Sequence, residues 1–226
     1  MKRKDFLKRS LLALGALGLG ASCSKDSDEE LNENCPLSPV ETAGPFPIHS
    51  PADLVQQNIC GDRTGTALVI QLRVIRQTEE ACTPLEGYYV DLWHCDAKGD
   101  YSEYGGTNMQ ANDYQNVSFL RGRQTTDANG QVQFISIFPG WYDGRAPHIH
   151  IEVKSPNEES IRVTQIAFPK DICDEVYAQG PYEGDANTSN EQDNVFGDSL
   201  SKNMLDQLTG DIQSGYTLQK EIVVQL

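Results

Sequence analysis

The sequence predicts an all-β fold, an antiparallel β-sandwich with long loops and a few short helices. From about residue 65 onward, short runs that are β-branched or alternate between apolar and polar residues recur along the chain. Turn-forming residues such as Asn129–Gly130 and Pro139–Gly140 separate these runs, as an antiparallel arrangement requires. Helical signals are confined to three short segments.

Six runs are predicted to be strands. In chain order they are TALVIQLRVI (66–75), GYYVDLW (87–93), QVQFISIF (131–138), HIHIEVK (148–154), SIRVTQIAF (160–168) and KEIVVQL (220–226). Short helices are predicted at 51–58, 170–179 and 198–208, the last of them capped by Asp198 or Ser199. The polar stretches 102–118 and 180–197 are predicted to be surface loops, of the kind that often form the walls of a site.

Residues 1–22 are predicted to be an export signal peptide. The basic stretch MKRKDFLKRS precedes the apolar stretch LLALGALGLGAS, and Cys23 follows directly. Because the apolar run is too short for a permanent membrane span, Cys23 is predicted to be the acylated cysteine of a bacterial lipoprotein. An ordinary secretory signal with an incidental cysteine is the alternative. Residues 3–8 also resemble a twin-arginine signal with one arginine replaced by lysine, so the export route stays open.

The segment 23–35 is predicted to be a polar acidic tether, because SKDSDEELNEN contains almost no apolar residue. Residues 36–226 are then predicted to form a single domain. The formal net charge of the chain is −15, and so acidic a protein is a poor partner for nucleic acid. The expected location is the cell envelope of a bacterium, with a lipid anchor at Cys23 in the membrane. The oligomeric state is open.

Five cysteines follow the signal peptide and its terminal cysteine. In an oxidising compartment, this odd number predicts two disulfides and one free thiol. Cys95 lies in a predicted core strand and is the candidate for the free thiol. Three connectivities are possible for the other four, and the expected pairs are Cys35 with Cys60 and Cys82 with Cys173.

The segment FPGWYDGRAPHIH, at 138–150, carries the strongest chemical signal. If PHIHIEV is a strand, His148 and His150 point to the same side, about 6 to 7 Å apart along the strand. That spacing suits two ligands of one metal ion, although two histidines satisfied by hydrogen bonds alone are equally compatible with the pattern. The other histidines are interpreted as a loop residue, His49, and a core-strand residue, His94.

Any further metal ligand must belong to another residue type. The cysteines are expected in disulfides or in the core, and the two-histidine, one-carboxylate pattern of a facial triad is absent. Tyr142 lies close to the histidine pair. A phenolate, with an intrinsic pKa of about 10, is a good ligand for a strongly Lewis-acidic cation such as Fe(III). A copper or zinc protein that uses only His148 and His150 is a third interpretation.

Five motifs stand in the order of one enzyme family. They are ETAGPFP (41–47), VDLWHCDAKGDYSEY (90–104), TTDANGQVQFISIFPGWY (125–142), GRAPHIHIEV (144–153) and TQIAFPKD (164–171). Through them the chain resembles the intradiol ring-cleavage dioxygenases, the family of catechol 1,2-dioxygenase and protocatechuate 3,4-dioxygenase. In that family, two tyrosinates and two histidines hold a non-haem Fe(III). The matching positions are Tyr101, Tyr142, His148 and His150. Tyr104 is a near rival to the first of these.

The resemblance also implies catalytic residues. Arg145 matches the family's arginine, three residues before the first histidine, and would stabilise negative charge that develops on the ring. Gln165 matches a glutamine on the next strand. Tyr142 would be the ligand that the substrate displaces. Phe46 departs from the pattern, because many members have tyrosine there. The short spacing from Tyr142 to Arg145 is a second departure, and it would leave the pocket more open.

The resemblance implies that the protein cleaves a catechol with dioxygen and forms a muconate-type diacid. The alternative is an exported β-sandwich lipoprotein that binds iron or a catechol-bearing ligand without turnover.

Overall fold

The computed structural model of the protein describes residues 35–226. The predicted signal peptide, the predicted acylation of Cys23 and all but the last residue of the predicted tether lie outside this range. Within it, no helix has the length and apolar character needed to cross a membrane.

Nine strands and two short α-helices form the fold in residues 35–226. The strands are β1 (Ala67–Gln77), β2 (Cys82–Pro84), β3 (Tyr89–Trp93), β4 (Arg121–Thr125), β5 (Gln131–Ile137), β6 (His148–Lys154), β7 (Ser160–Ala167), β8 (Gln207–Asp211) and β9 (Gly215–Val224). The helices are α1 (Lys170–Tyr177) and α2 (Leu200–Asn203).

The strands form two sheets, which confirms the predicted all-β sandwich. In the first sheet the order is β2-β1-β9-β8, and β5 also pairs with β1. The second sheet has the order β4-β3-β6-β7. One apolar core contains side chains from both sheets, among them Leu68 and Leu72 of β1 and Ile149 and Ile151 of β6.

The expectation of a wholly antiparallel arrangement is wrong at one pair. Strands β1 and β9 are parallel, with Leu68 opposite Tyr216 and Arg76 opposite Val224. Parallel neighbours need a long connection, and strands β2 to β8 lie between these two strands in the sequence. The short turn between β8 and β9, by contrast, gives an ordinary antiparallel hairpin.

All six predicted strands are present, and helix α1 confirms the helix predicted at 170–179. The other two helix predictions are largely wrong. The first shrinks to a 3₁₀ turn at Pro51–Asp53, because the following residues bond to strands, as in the bond from the Arg123 amide to the Leu54 carbonyl. The third shrinks to α2 because the Leu205 amide bonds to the Ala167 carbonyl, and β8 then begins within the predicted helix.

The predicted disulfides are wrong in pairing and in number, since residues 35–226 contain one disulfide and three free cysteines. The bond joins Cys35 to Cys82, whose Cα atoms lie 6.2 Å apart. The turn between β1 and β2 brings these cysteines together, because Gln77 lies opposite Cys82 in the register and its side-chain amide donates to the Cys35 carbonyl. Cys60 and Cys173 are free. The prediction for Cys95 is confirmed, since it is free and buried.

Removal of this disulfide is expected to destabilise the protein. The bond closes a loop with a sequence separation of 47 residues, and a loop of that size predicts a loss of roughly 2 to 4 kcal/mol in the free energy of unfolding. The test is urea denaturation of the Cys35→Ser/Cys82→Ser double variant. Cys60→Ser, at a free cysteine, is the control and should unfold near the wild-type midpoint. Equal midpoints for the double variant and the wild type would contradict the pairing.

Candidate metal centre

Strand β6 carries the histidine pair on the outer face of the second sheet. Ile149 and Ile151 point into the core between the sheets, and side chains alternate along a strand. His148 and His150 therefore point away from that core. They are nevertheless buried, 2% and 1% exposed, because loops cover this face of the sheet.

His150 is the centre of a row of side chains that crosses the second sheet. Its backbone lies opposite Trp93 of β3 and opposite Gln165 of β7, and Trp93 in turn lies opposite Arg121 of β4. The rings of Trp93 and His150 are stacked, with 4.9 Å between centroids and an interplanar angle of 2°. This packing fixes the plane of the His150 imidazole.

Four potential ligand atoms converge above this row. The Nε2 atom of His148 lies 3.1 Å from Nε2 of His150. It also lies 3.5 Å from the Tyr101 hydroxyl and 3.4 Å from the Tyr142 hydroxyl. Ligand atoms that bind one ion at about 2.0 to 2.1 Å lie about 3 to 3.5 Å from one another. The three distances from His148 Nε2 are therefore those expected when the two nitrogens and two oxygens bind a single metal ion.

Both histidines are neutral, and His148 also has the tautomer that binds a metal through Nε2. Nδ1 of His148 lies 2.6 Å from the Ala146 carbonyl. Because a carbonyl only accepts, Nδ1 must carry the hydrogen, and the lone pair of Nε2 faces the other three ligand atoms. Burial, with a smaller effect from nearby Arg145, lowers the pKa of His148 to about 3. Burial also holds the pKa of His150 well below its ordinary value. Neutral imidazoles are ready-made metal ligands.

Tyr101 is placed by the segment that follows β3. A tight turn brings Gly99 against the 141–142 backbone, where any Cβ would lie 2.3 Å from the Trp141 carbonyl oxygen. The Gln110 side chain then bonds both sides of Tyr101, accepting from its amide at 2.6 Å and donating to its carbonyl at 2.8 Å. The hydroxyl of Tyr104 donates instead to the Pro47 carbonyl. The structure thus brings Tyr101, and not Tyr104, to the histidines.

Tyr101 is 1% exposed, and burial raises its pKa well above the ordinary value. Burial likewise raises the pKa of half-buried Tyr142, while Arg145 opposes that rise. Both phenols would therefore need a bound cation in order to ionise. Among residues 35–226, His, Cys, Asp and Glu side chains form no group of three or more that could hold a metal. A metal at this place depends on the tyrosines.

Arg145 lies beside the four ligand atoms without being one of them. Its Nη1 is 3.4 Å from the Tyr142 hydroxyl and 3.4 Å from Nε2 of His148. Its Nη2 donates to the Gln165 side-chain oxygen at 2.6 Å, and the Gln165 side-chain nitrogen donates to the Thr42 carbonyl at 2.8 Å. All six residues predicted from the sequence are therefore neighbours in space.

Several residues of the centre were not predicted as site residues. Gly44 has φ +69° and lies so close to His150 that a Cβ there would be 3.0 Å from the imidazole Cε1, and the Phe46 ring packs on Tyr101 with centroids 4.9 Å apart. Both lie within the motif ETAGPFP, which is the sequence feature that could have identified them as site residues. Asp193, which holds Arg145, and Gln110 lie in the two loops predicted to be walls of a site, with no local motif that singles them out.

The two remaining histidines lie where they were expected in part: His94 is in the core, directly after the end of β3 at Trp93, and His49 is in a loop. His94 is fully buried, with Nδ1 2.8 Å from the Cys95 carbonyl and Nε2 2.7 Å from the Ser136 hydroxyl. His49 lies in a loop with an exposed side chain. In the described part of the chain, neither belongs to a group of three His, Cys, Asp or Glu side chains that could hold a metal.

The metal-free protein is expected to lose stability as the pH falls from 7 to 5. Burial lowers the pKa of His94 to about 4, below the ordinary value, as it does for His148 and His150. The unfolded chain takes up protons near pH 6.5 that the folded protein does not. The free energy of unfolding therefore falls with pH by up to about 1.4 kcal/mol per unit for each histidine. Urea denaturation at pH 7, 6 and 5 measures this. The His94→Gln variant should show a shallower slope, and a flat wild-type profile would contradict buried neutral histidines.

Comparisons with known proteins agree with this geometry. Residues 44–182 of the 226-residue chain match the family model described as "Dioxygenase". The protocatechuate 3,4-dioxygenase beta chain of Burkholderia cepacia is 29% identical over 148 residues, which cover 62% of this chain and 59% of that protein. The chain thus spans less than two thirds of the length of this curated relative.

Solved structures show the same fold. The intradiol ring-cleavage dioxygenase from Tetranychus urticae superimposes with a TM-score of 0.74 at 28% identity, covering 84% of this chain and 95% of that one. The 3-chlorocatechol 1,2-dioxygenase from Rhodococcus opacus 1CP, at 21% identity, has the same fold with a TM-score of 0.53, over 83% of this chain and 72% of that one. The family match covers more than half of the chain, so the protein belongs to the intradiol ring-cleavage dioxygenase family.

Proposed function

We propose that the protein is a non-haem Fe(III) intradiol dioxygenase that cleaves the ring of a catecholic substrate with dioxygen to give a muconate-type diacid. One observation carries the proposal. Two phenol oxygens and an imidazole nitrogen lie within 3.5 Å of His148 Nε2, and a guanidinium nitrogen lies 3.4 Å from the same atom. Membership of the family supports it.

The proposed ligands of the iron are Tyr101, Tyr142, His148 and His150. When bound, Fe(III) supplies the Lewis acidity that ionises phenols and makes a bound catechol reactive toward dioxygen. Tyr101, enclosed and held through its backbone by Gln110, is suited to remain a ligand throughout.

Tyr142 is the proposed ligand that would give way to the substrate. Its side chain is only half buried, and its hydroxyl accepts a hydrogen bond from Arg145 at 3.4 Å. Bound to iron, Tyr142 would be a tyrosinate, and its oxygen would then be able to accept one of the two protons that a catechol loses on binding. Arg145 stays beside it and places its positive charge where negative charge develops on the ring. Gln165 keeps the guanidinium in that place through the bond to Nη2.

Oxygen uptake by the iron-loaded protein tests the activity. The substrates are catechol, protocatechuate and hydroxyquinol, with product identified by mass and by loss of the aromatic absorbance. Uptake with at least one of them and formation of a diacid are expected. If the iron-loaded protein takes up no oxygen with any of these substrates, the alternative function is favoured, an exported lipoprotein that binds iron or a catechol-bearing ligand without turnover.

Export to the cell envelope of a bacterium, with a lipid anchor at Cys23, is the proposed location. The disulfide between Cys35 and Cys82 supports it, because such bonds persist mainly in oxidising compartments. Expression in a bacterium fed labelled palmitate tests the anchor. The wild type should carry label in the membrane fraction and Cys23→Ala should not, and an unlabelled wild type would contradict the anchor.

A further inference from the structure

The carboxylate of Asp193 is enclosed and fully engaged. Its side chain is 0% exposed. The backbone amide of Ala146 donates to Oδ2 at 2.8 Å, and that of Val195 donates to Oδ1 at 2.8 Å. Nε of Arg145 lies 3.1 Å from Oδ1 and 2.9 Å from Oδ2. Both oxygens therefore serve a backbone amide and the guanidinium at the same time, and Asp193 ties the 180–197 loop to the segment that precedes β6.

These contacts settle the direction of the Arg145 side chain. Asp193 holds Nε, and Gln165 holds Nη2 at 2.6 Å. Because a guanidinium is planar, fixing two of its nitrogens fixes the third. That third nitrogen, Nη1, is the one that lies 3.4 Å from the Tyr142 hydroxyl and from His148 Nε2. Without Asp193, a long and only partly buried arginine side chain regains rotamer freedom.

Asp193 has no hydrogen bond to any of the four proposed ligands. It reaches the centre through Arg145 and through the Ala146 backbone, whose carbonyl accepts from Nδ1 of His148. Of these two contacts, only the one with Arg145 determines where Nη1 lies. We propose that Asp193 is a positioning residue, which holds Nη1 of Arg145 against the Tyr142–His148 edge of the metal centre. The catalytic consequence of this inference rests on the proposed function. The clamp, by which we mean the contacts of Asp193 and Gln165 with the Arg145 guanidinium, does not depend on that function.

Kinetics of a double-mutant cycle test the consequence. In Asp193→Asn, one carboxylate oxygen becomes an NH₂ group, which cannot accept from Arg145 or the backbone amide that it faces. The iron-loaded variant should keep the broad visible absorption band that charge transfer from tyrosinate to Fe(III) is expected to give. Its kcat should fall about 10- to 100-fold, the scale expected when a catalytic group is misplaced by about 1 Å. Adding Asp193→Asn to Arg145→Ala should change kcat little further, because the guanidinium that Asp193 positions is already absent.

Asp91→Asn is the matched control. Asp91 is also buried and accepts from Arg123 through both oxygens, but that pair makes no contact with the proposed ligands. A similar loss of stability with unchanged kcat is expected there. Wild-type kcat in Asp193→Asn, or losses in the double variant that multiply those of the single variants, would overturn the positioning role.

Nitrogen-15 NMR of the metal-free protein tests the clamp without any activity. The Arg145 Nε–H signal, assigned by its absence in Arg145→Lys, should exchange slowly with water in the wild type. It should exchange much faster in Asp193→Asn. Fast exchange in the wild type would overturn the clamp even if the variant failed to fold. A wild type that keeps the slow signal but has neither colour nor turnover would defeat the proposed function and leave the clamp standing.

Discussion

Replacement of His148 by alanine is expected to abolish iron binding and ring cleavage together. Nε2 of His148 is the atom on which the other three potential ligand atoms converge, at 3.1 to 3.5 Å. Loss of a residue that only orients a metal ligand typically costs about 10- to 100-fold in metal affinity or activity. Loss of the ligand itself should exceed that range. Iron content of the purified protein and oxygen uptake measure the two effects.

His94→Ala is the control for the first prediction. Its imidazole is equally enclosed, and its bonds go to Cys95 and Ser136 rather than to the centre. It should leave a similar cavity and a similar loss of stability, yet retain stoichiometric iron. Equal iron content in His148→Ala and the wild type would remove His148 from the ligand set.

Replacement of Arg145 by alanine is expected to keep the iron and lower kcat by about 10² to 10³, the cost of removing one group that stabilises developing charge. The structure gives the reason for this separation. The guanidinium lies against Tyr142 and His148 but supplies no ligand atom, because a guanidinium stays protonated. Steady-state kinetics and the visible spectrum of the same sample measure both properties.

Arg123→Ala is the control for the second prediction. Either substitution removes the guanidinium that pairs with a buried aspartate, Asp193 in one case and Asp91 in the other. Both should destabilise the protein by less than the roughly 3 to 5 kcal/mol of a wholly unpaired buried charge, because Asp193 keeps two backbone amides and Asp91 keeps Lys154. Only Arg145→Ala should lose turnover. Loss of the visible band in Arg145→Ala would show instead that this arginine maintains the structure of the centre.

The side on which the histidine pair lies was predictable from β6 alone, because its apolar residues alternate with His148 and His150. The burial of strand β4 was not predictable, because its sequence RGRQT contains two arginines. Arg121 and Arg123 are nevertheless both buried. Their partners, such as Ser102 and Asp91, come from other segments, so no local pattern reveals that the strand is enclosed.

Other features depend on tertiary contacts in the same way. The pairing of Cys35 with Cys82 follows from the register of β1 and β2, which cysteine spacing does not encode. The helix predicted from Ser199 begins as expected but ends at Asn203, because the Leu205 amide bonds to the Ala167 carbonyl of β7. Asp193 is 48 residues from Arg145, and nothing in its local sequence distinguishes it from the neighbouring polar residues.

The visible absorption spectrum of the iron-loaded protein tests the four-ligand centre most directly. Charge transfer from tyrosinate to Fe(III) should give a broad visible band, and Tyr101→Phe should remove much of its intensity. The band should also shift when a catechol is added without oxygen. A protein that contains one iron per chain and is colourless would contradict the assignment of Tyr101 and Tyr142 as ligands.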